Sequence, residues 1–357
     1  MADYRVIYAD TATGAVLGEL PATNLSYSES LNGAGSLSVD IPLDTSTTPT
    51  LALAVGRSEI TAADFSPDGR TSILVERSGA LVWGGIMWGY QADLASQRAT
   101  VSAAGFLSYF DRRLITADAT YAATEQTAIA WGLINAAQTA SSIGVTDGST
   151  ATGTTRDRTY EGVYATSVGQ ALRNLTQLNG GFDMRIRCSW SAGALVRSFE
   201  TSYPQTGRAT SHVLDTESNI AALMVTANGS KVNTLAYADG KSGTARQSTA
   251  NATLELAIPR LEAIEGHSSV SETATLLAHS ARLSQRGSVP VRTLRATVVN
   301  GAQPHVGSFE TGDVIEVRGG QGWLDLAGDY RVTAYSVSVD STGTEALTLD
   351  LASQEAF

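Results

Sequence analysis

The segment 75–113 constrains the fold most, because its residues follow the pattern of two long strands joined by a turn. The first strand carries Trp83 and Trp88, and residues 100–106 alternate apolar with small or hydroxylated side chains. Such alternation is typical of a strand that buries one face. Strict alternation would point the two tryptophans to opposite faces. We therefore predict a β-bulge at Gly84-Gly85 that brings both to the same face.

The composition is that of a folded protein built from short strands. Hydrophobic residues make up 43% of the 357 residues, which argues against a disordered chain and suffices for two or three domains. The 34 glycines and only 8 prolines, with abundant alanine, serine and threonine, favour strands and tight turns over long helices. We predict a multi-domain, mainly β fold with inserted helices (β/α+β).

Turn signals predict hairpins along the whole chain. Asn32-Gly33 and Asn228-Gly229 each lie between strand-like runs and are strong hairpin signals. Residues 182–187 and 194–201 have the pattern of another hairpin. Near the end, residues 347–351 alternate cleanly between leucine and polar side chains, which predicts a half-buried strand.

Three helices are predicted in the middle of the chain. The first has Thr124 as its N-cap. The second begins at Ser167, whose spacing to Gln170 fits a capping box, and this helix ends at Asn179-Gly180-Gly181. The third has a capping box at Ser269 and Glu272 and ends at Gly287. Neither a repeat of fixed period nor a strand–helix alternation typical of a parallel sheet occurs.

The alternation of strand and helix patterns divides the chain into four predicted parts. They are an N-terminal β domain at 1–115, an α+β segment at 116–210, a β/helix segment at 211–289 and a C-terminal β domain at 290–357. The loop at 141–155 is rich in glycine, serine and threonine, and its partner is not evident.

The sequence contains no motif of a metal, cofactor or catalytic site. His212, His267, His279 and His305 do not lie in a metal-binding spacing, and no P-loop, dinucleotide fingerprint or G-x-S-x-G elbow occurs. The single cysteine, Cys188, has no activating neighbour in the sequence. We therefore predict no catalytic, cofactor-binding or metal-ligating residue and a protein that is not an enzyme.

A carbohydrate-binding or cell-wall-degrading protein is the alternative. Hydrolysis of a glycosidic bond needs two carboxylates that flank it. No spacing marks out a pair among 35 acidic residues. Exposed tryptophans could bind sugars, although most of the five are expected in cores. The residues available as carboxylate candidates are Asp183, Glu200, Glu310 and Asp325.

The charge and the N-terminal residues limit the possible partners. The formal net charge of −11 repels phosphate and argues against binding nucleic acid across the surface. The chain starts without a basic, apolar leader, and its longest run of large apolar residues, near 220–225, is far too short to span a bilayer. We expect synthesis in the cytoplasm and no stable membrane insertion.

Two places are predicted to contact other subunits. Trp323 lies in a glycine-rich loop where a large side chain is easily exposed. Asp111, Arg112 and Arg113 form a charge cluster at the end of the N-terminal β unit. A solvated strand end with a local ion pair is the simpler interpretation of this cluster.

Three segments resemble the baseplate hub, or minor tail protein, of long-tailed bacteriophages, in the form found in phages of actinobacteria. The first is residues 81–115, LVWGGIMWGYQADLASQRATVSAAGFLSYFDRRLI, and the second is the stretch 261–291. The third, 312–351, contains GDVIEVRGG and GDYRVTAYSVSVDSTGTEALTLDL. Their order and spacing extend the resemblance over nearly the whole chain.

The resemblance implies a homotrimeric ring at the distal end of the virion tail. Tube-like β-barrel domains at 1–115 and 290–357 would lie side by side and match a hexameric tube, with 116–289 as a peripheral insertion. The implied partners are further copies of the chain, the distal tail protein, the tape measure protein and tip or fibre proteins, with DNA only in transit. An acidic ring could present a negative channel wall that does not hold DNA. A hub of a phage-derived injection machine would have the same sequence features.

Overall fold

The computed structural model describes residues 3–43, 69–178, 180–205, 207–241, 246–267, 270 and 272–353. The strands are β1 (Tyr4–Asp10), β2 (Val16–Leu20), β3 (Asn24–Ser30), β4 (Ser36–Pro42), β5 (Thr71–Arg77), β6 (Ala80–Asp93), β7 (Arg98–Gly105), β8 (Ala119–Glu125), β9 (Val145–Gly148), β10 (Thr155–Tyr160), β11 (Asp183–Ser191), β12 (Ala194–Ser202), β13 (Ala209–Asp215), β14 (Ile220–Asn228), β15 (Leu235–Asp239), β16 (Arg246–Ala250), β17 (Glu262–Gly266), β18 (Val291–Val298), β19 (Val314–Arg318), β20 (Gly320–Gln321), β21 (Leu324–Asp325), β22 (Gly328–Val339) and β23 (Glu345–Ser353). The α-helices are α1 (Leu107–Asp111), α2 (Gln126–Ala140), α3 (Val168–Thr176), α4 (Ala252–Ala257) and α5 (Thr273–Arg286), with one 3₁₀ turn at Gly162–Tyr164.

Thirteen strands form one sheet that includes both ends of the chain. Its main path runs β14-β18-β23-β22-β3-β4-β7-β6-β5-β1-β2, and β19 pairs with both β22 and β13. The two ends join where β22 pairs with β3, from Ala334 opposite Ser30 to Val339 opposite Leu25. The prediction of a mainly β fold with a few inserted helices is confirmed. The predicted closed barrels are not found among the described strands, whose path is open.

Most strand pairs are antiparallel, as the turn-rich sequence predicts. Three pairs are parallel: β9 with β12, β13 with β19, and β15 with β17. The predicted hairpin of β11 with β12 is confirmed. The one predicted around Asn228-Gly229 is wrong, because β14 pairs with β18 while β15 belongs to a separate small sheet.

Alternation places the apolar residues of the central sheet on one face. This face buries Tyr27, Val39, Val101, Val337 and Leu349 in a core that both ends of the chain share. A second core lies between the other side of β6 and the inserted elements α1, α2, α3, β11 and β12. Burial of such side chains stabilises each by about 1.5–3 kcal/mol, so the two cores fix the sheet and the insertion together.

The two tryptophans of β6 point to opposite faces, which corrects the predicted bulge. The extra residues in β6 are Val82, opposite β5, and Trp88, opposite β7. Trp83 belongs to the shared core, whereas Trp88 packs against the second core. Gly84 and Gly85 stay in register with β5. At Gly85 the backbone of β7 is so close that a Cβ atom would lie 2.3 Å from the Ala104 carbonyl oxygen.

The helix starts follow local capping chemistry. The first helix begins one residue later than predicted: Thr124 pairs with Arg156 in a strand, and the Glu125 carboxylate accepts hydrogen bonds from the amides of Thr127 and Ala128. Burial opposes ionisation of Glu125, but these bonds and those from Thr152 lower its pKa to about 2.

The second helix has the predicted cap, and the third begins at a different residue from the one predicted. Ser167 caps the second helix as predicted, accepting from the Gln170 amide at 3.2 Å. The third helix follows Glu272 and ends at Gly287, whereas the predicted residues Asn179 and Ser269 lie outside the described residues. The residues before it include a separate short helix, α4, capped by the Asn251 side chain.

We predict that Gly85→Ala lowers the free energy of unfolding by about 1–3 kcal/mol, because the new methyl group must displace the backbone of β7. Urea unfolding monitored by tryptophan fluorescence measures this change. Gly266→Ala is the matched control, since its Cβ would meet nothing within 4 Å. Equal stability of the two variants would contradict this role of Gly85.

Candidate interaction surfaces

On strands β18, β23, β22, β3, β4 and β7, the face of the central sheet opposite the shared core carries mostly small hydroxylated side chains. Pairing places Ser338 opposite Ser26, Ser26 opposite Ser38, and Ser38 opposite Ser102, so one row of serines crosses four strands. All four are exposed. The adjacent row consists of Thr297, Thr348, Ser336, Ser28, Ser36 and Ala104. We call these two rows and the residues that flank them the hydroxyl face.

Charged residues occur at the two ends of the hydroxyl face and are paired there. Asp40 accepts from Thr100 at 2.7 Å and from Arg98 at 3.2 Å, and hydrogen bonds, first that of Thr100, lower its pKa. At the other end Arg295 lies opposite Asp350, with Nε and Oδ1 3.9 Å apart. Between these pairs the two rows carry no formal charge. The net charge of the chain suggests a strongly acidic channel wall, and this face does not have that character.

Asp111, Arg112 and Arg113 all have partners within the chain. Asp111 accepts from Arg173 Nη2 at 2.7 Å, which joins α1 to α3. The Arg112 guanidinium lies 4.9 Å from the centre of the Trp88 ring, and Arg113 donates to the last turn of α2 at 2.9 Å. The cluster therefore links three helices to β6. Its predicted role as a subunit contact stays a prediction.

Trp323 lies at the tip of the β20–β21 hairpin, and 93% of its surface is exposed. Gly322, before it, has φ +63, a left-handed conformation that glycine adopts without strain and that closes this tight tip. A tryptophan contributes a large apolar area on burial and often carries much of the energy of an interface. Its predicted subunit contact also stays a prediction.

A buried ion pair holds the insertion on the central sheet. Arg331, at 1% exposure, pairs with Asp183 at the start of β11. Asn32, in the predicted β3–β4 turn, donates to Asp183 at 3.0 Å and accepts from the Met184 amide at 2.7 Å. Arg331 also donates to the Gly312 carbonyl at 3.1 Å. Strand β22, the β3–β4 turn and the insertion, which are far apart in the sequence, therefore meet at one charge pair, which we call the Asp183 node.

The other carboxylate candidates do not form a hydrolytic site. Glu200 and Glu310 each accept from both Arg185 and Arg187, with Arg185 2.9 Å from Glu200 and 2.7 Å from Glu310. Burial opposes ionisation of Glu310, but the two arginines lower its pKa. A glycosidase acid requires a raised pKa. Asp325 accepts from the Ala327 amide in its own turn.

The described histidines and the cysteine show no reactive arrangement. Within the described residues no three histidine, cysteine or carboxylate side chains are grouped to hold a metal ion. Burial raises the pKa of the Cys188 thiol to about 12, so the nucleophilic thiolate is scarce at neutral pH. A helix long and apolar enough to cross a membrane does not occur in the described part of the chain.

We predict that Arg331→Met lowers the free energy of unfolding by about 3–5 kcal/mol, because it leaves the Asp183 carboxylate buried without its partner. Arg318→Met, which breaks the exposed pair of Arg318 with Glu316, is the control and should cost less than about 1 kcal/mol. Both changes are measured by urea unfolding. A similar small loss in both variants would show that the Asp183 node does not anchor the insertion.

The fold matches those of phage tail proteins. A scan against protein-family models finds no match, and a search of curated proteins finds none. The 43 kDa tail protein of prophage MuSo2 from Shewanella oneidensis matches with a TM-score of 0.65 and 11% identity over 99% of both chains. The tail protein from Neisseria meningitidis MC58 matches with a TM-score of 0.62 and 14% identity, covering 99% of this chain and 98% of the other.

A third match, prophage tail protein gp18 from Listeria monocytogenes EGD-e, has a TM-score of 0.56 and 12% identity over 97% of this chain and 94% of the other. All three are tail proteins by description. At such low identity the likeness concerns the fold. Over nearly its whole length the chain is a structural match to phage tail proteins.

Proposed function

We propose that this protein is a tail-tip, or baseplate, hub of a phage virion. It closes the distal end of the tail tube, anchors the tip or receptor-binding proteins and takes part in tail assembly and genome ejection. The observation that carries this proposal is the full-length match in fold to phage tail proteins. We propose further that the hub is of the type found in phages of actinobacteria.

The central sheet supports a threefold ring. Strands from residues 4–105 and from 209–353 lie side by side and share one core, so each chain supplies two β halves. Three copies would present six such halves to a sixfold tube. In this proposal the tube-like domains are residues 1–115 and 290–357, the second with strands β13 and β14 beside it in the sheet, and the rest of 116–289 is the peripheral insertion.

Two of the outer strands of the sheet indicate how copies could join. In the described part of the chain, β13, β14 and β2 each have one neighbouring strand, and β14 and β2 carry exposed apolar residues such as Met224 and Val16. Unpaired edges favour pairing with another chain. In a closed ring, neighbouring copies would cover the edges of β14 and β2. Each subunit then uses each of its contact surfaces once, so neither of these edges stays unpaired.

We assign the hydroxyl face to the wall of the channel. Its two rows lack the cations that bind DNA phosphates, and its small side chains leave a smooth surface. Serine and threonine keep such a wall hydrated. DNA would therefore pass without being held, as it would along an acidic wall. The difference is that the charges of the hydroxyl face lie at its two ends and are paired there.

The proposed partners follow from this position. Further copies of the chain form the ring, the distal tail protein and the tape measure protein lie on its tube side, and tip or fibre proteins bind the insertion. Trp323 is assigned to the contact between copies because it is fully available for burial. The exposed parts of Asp111, Arg112 and Arg113 are assigned to a contact with another subunit.

We predict that the purified protein, or the protein bound to tail components, has three times the 37.2 kDa chain mass by light scattering and forms threefold rings in negative stain. Trp323→Ala should reduce the trimer fraction at least tenfold without changing the secondary structure seen by circular dichroism, since an interface tryptophan contributes about 2 kcal/mol or more. Leu256→Ala is the control, because Leu256 is 92% exposed on a different element.

A stable monomer that also fails to join tails would overturn the hub proposal. Release of soluble sugar or peptide from host cell walls would support the alternative of a cell-wall-degrading protein. A trimer that tolerates Trp323→Ala would remove only Trp323 from the contact between copies.

A further inference from the structure

Residues 234–286 form a small unit with its own, minimal core. The unit contains the three-stranded sheet of β15, β16 and β17 with α4 and α5. Its described buried cluster consists of Ala238, Val270 and Leu276, and it is separate from the two larger cores. So few buried residues supply little hydrophobic stabilisation. Contacts with the rest of the chain must therefore contribute to holding the unit in place.

Three polar side-chain contacts connect the small unit to the insertion and its following loop. Arg158 of β10 approaches His279 of α5, with Nη2 and Nε2 3.4 Å apart, and both side chains are at most 4% exposed. Arg282 donates to Gln205 at 3.1 Å, and Lys241 forms an ion pair with Glu161. Of these contacts the one between Arg158 and His279 is the most deeply buried.

This contact requires a neutral histidine. An arginine side chain donates hydrogen bonds and accepts none, so His279 Nε2 must be the unprotonated acceptor. His267, at the end of the small sheet, stacks on His279 with ring centres 3.6 Å apart and planes at 22°. A proton on either ring would place a second positive charge beside the buried guanidinium.

Two arginines and two carboxylates lie around the two rings. Arg158 and Arg156 face them from β10, Glu265 of β17 lies 3.7 Å from His267 Nε2, and Glu272 precedes α5 and interacts with Arg158. Burial and then Arg158 lower the pKa of His267 to about 4. Burial, His267 and the arginines lower the pKa of His279 to about 2. The two carboxylates therefore do not compensate for burial and the arginines.

We infer that His267, His279 and Arg158 form an acid-sensitive latch that holds the small unit against the insertion at neutral pH and releases it as the pH falls. In the released unit each histidine regains an ordinary pKa near 6.5, so release binds protons. The latch is therefore fully effective above about pH 6.5 and weakens as the pH drops below that value. The inference concerns this chain alone and goes beyond the proposed function.

Hydrogen exchange of the full chain at pH 7 and pH 5 tests the latch. After correction for intrinsic exchange, protection of the amides of β15 and α5 should fall on the order of several hundred-fold, because two protons are bound on release. Protection at the junction of β22 with β3 should stay unchanged. The His212→Gln/His305→Gln variant should behave like the original chain, and His267→Gln/His279→Gln should lose the pH dependence.

Imidazole NMR titration of the unmodified chain tests the latch without relying on a variant that folds. Two of the four histidines should titrate below pH 5, and they are identified by single His→Gln changes. Four titrations near pH 6.5 would overturn the inference. An equal fall in protection of the small unit and the central sheet, or none, would overturn it as well.

Discussion

The ion pair of Asp183 with Arg331 attaches the insertion to the central sheet. Both charges are buried, so each is tolerable only because the other and the neighbouring Asn32 are present. The pair brings together the β3–β4 turn, the start of β11 and strand β22, which lie far apart in the sequence. Because it fixes the insertion on the sheet, it also fixes the orientation of the surfaces that would meet other subunits.

The residues of the shared core and the residues of the hydroxyl face lie on different faces of the central sheet. Two large cores stabilise the sheet and the insertion from within, while the opposite face of the sheet carries two rows of small hydroxylated residues. Strand β22 takes part in both, because it joins the two ends of the chain and contributes Ser336 and Ser338 to the hydroxyl face. If the protein surrounds a passage, as proposed, this arrangement supplies rigid walls and a surface that does not bind what passes.

Local features could be predicted from the sequence, and long-range ones could not. Alternation in β23, the Asn32-Gly33 turn and the Ser167 cap depend on neighbouring residues and are observed. The bulge at Trp88 depends on where the backbone of β7 lies, which no local pattern reveals. Exposure of Trp323 follows from its glycine-rich loop. The intrachain partners of Asp111 and Arg113 lie on α3 and α2, so the sequence did not reveal them.

Cryo-electron microscopy of the protein in assembled tails would locate it and show which of its faces lines the channel. We expect three copies in a ring at the distal end of the tube, with the hydroxyl face, including Ser38 and Ser338, lining an open channel. A ring whose hydroxyl face points outward, or is covered by another protein, would contradict the assignment of the channel wall. Location of the protein elsewhere in the virion would contradict the hub itself.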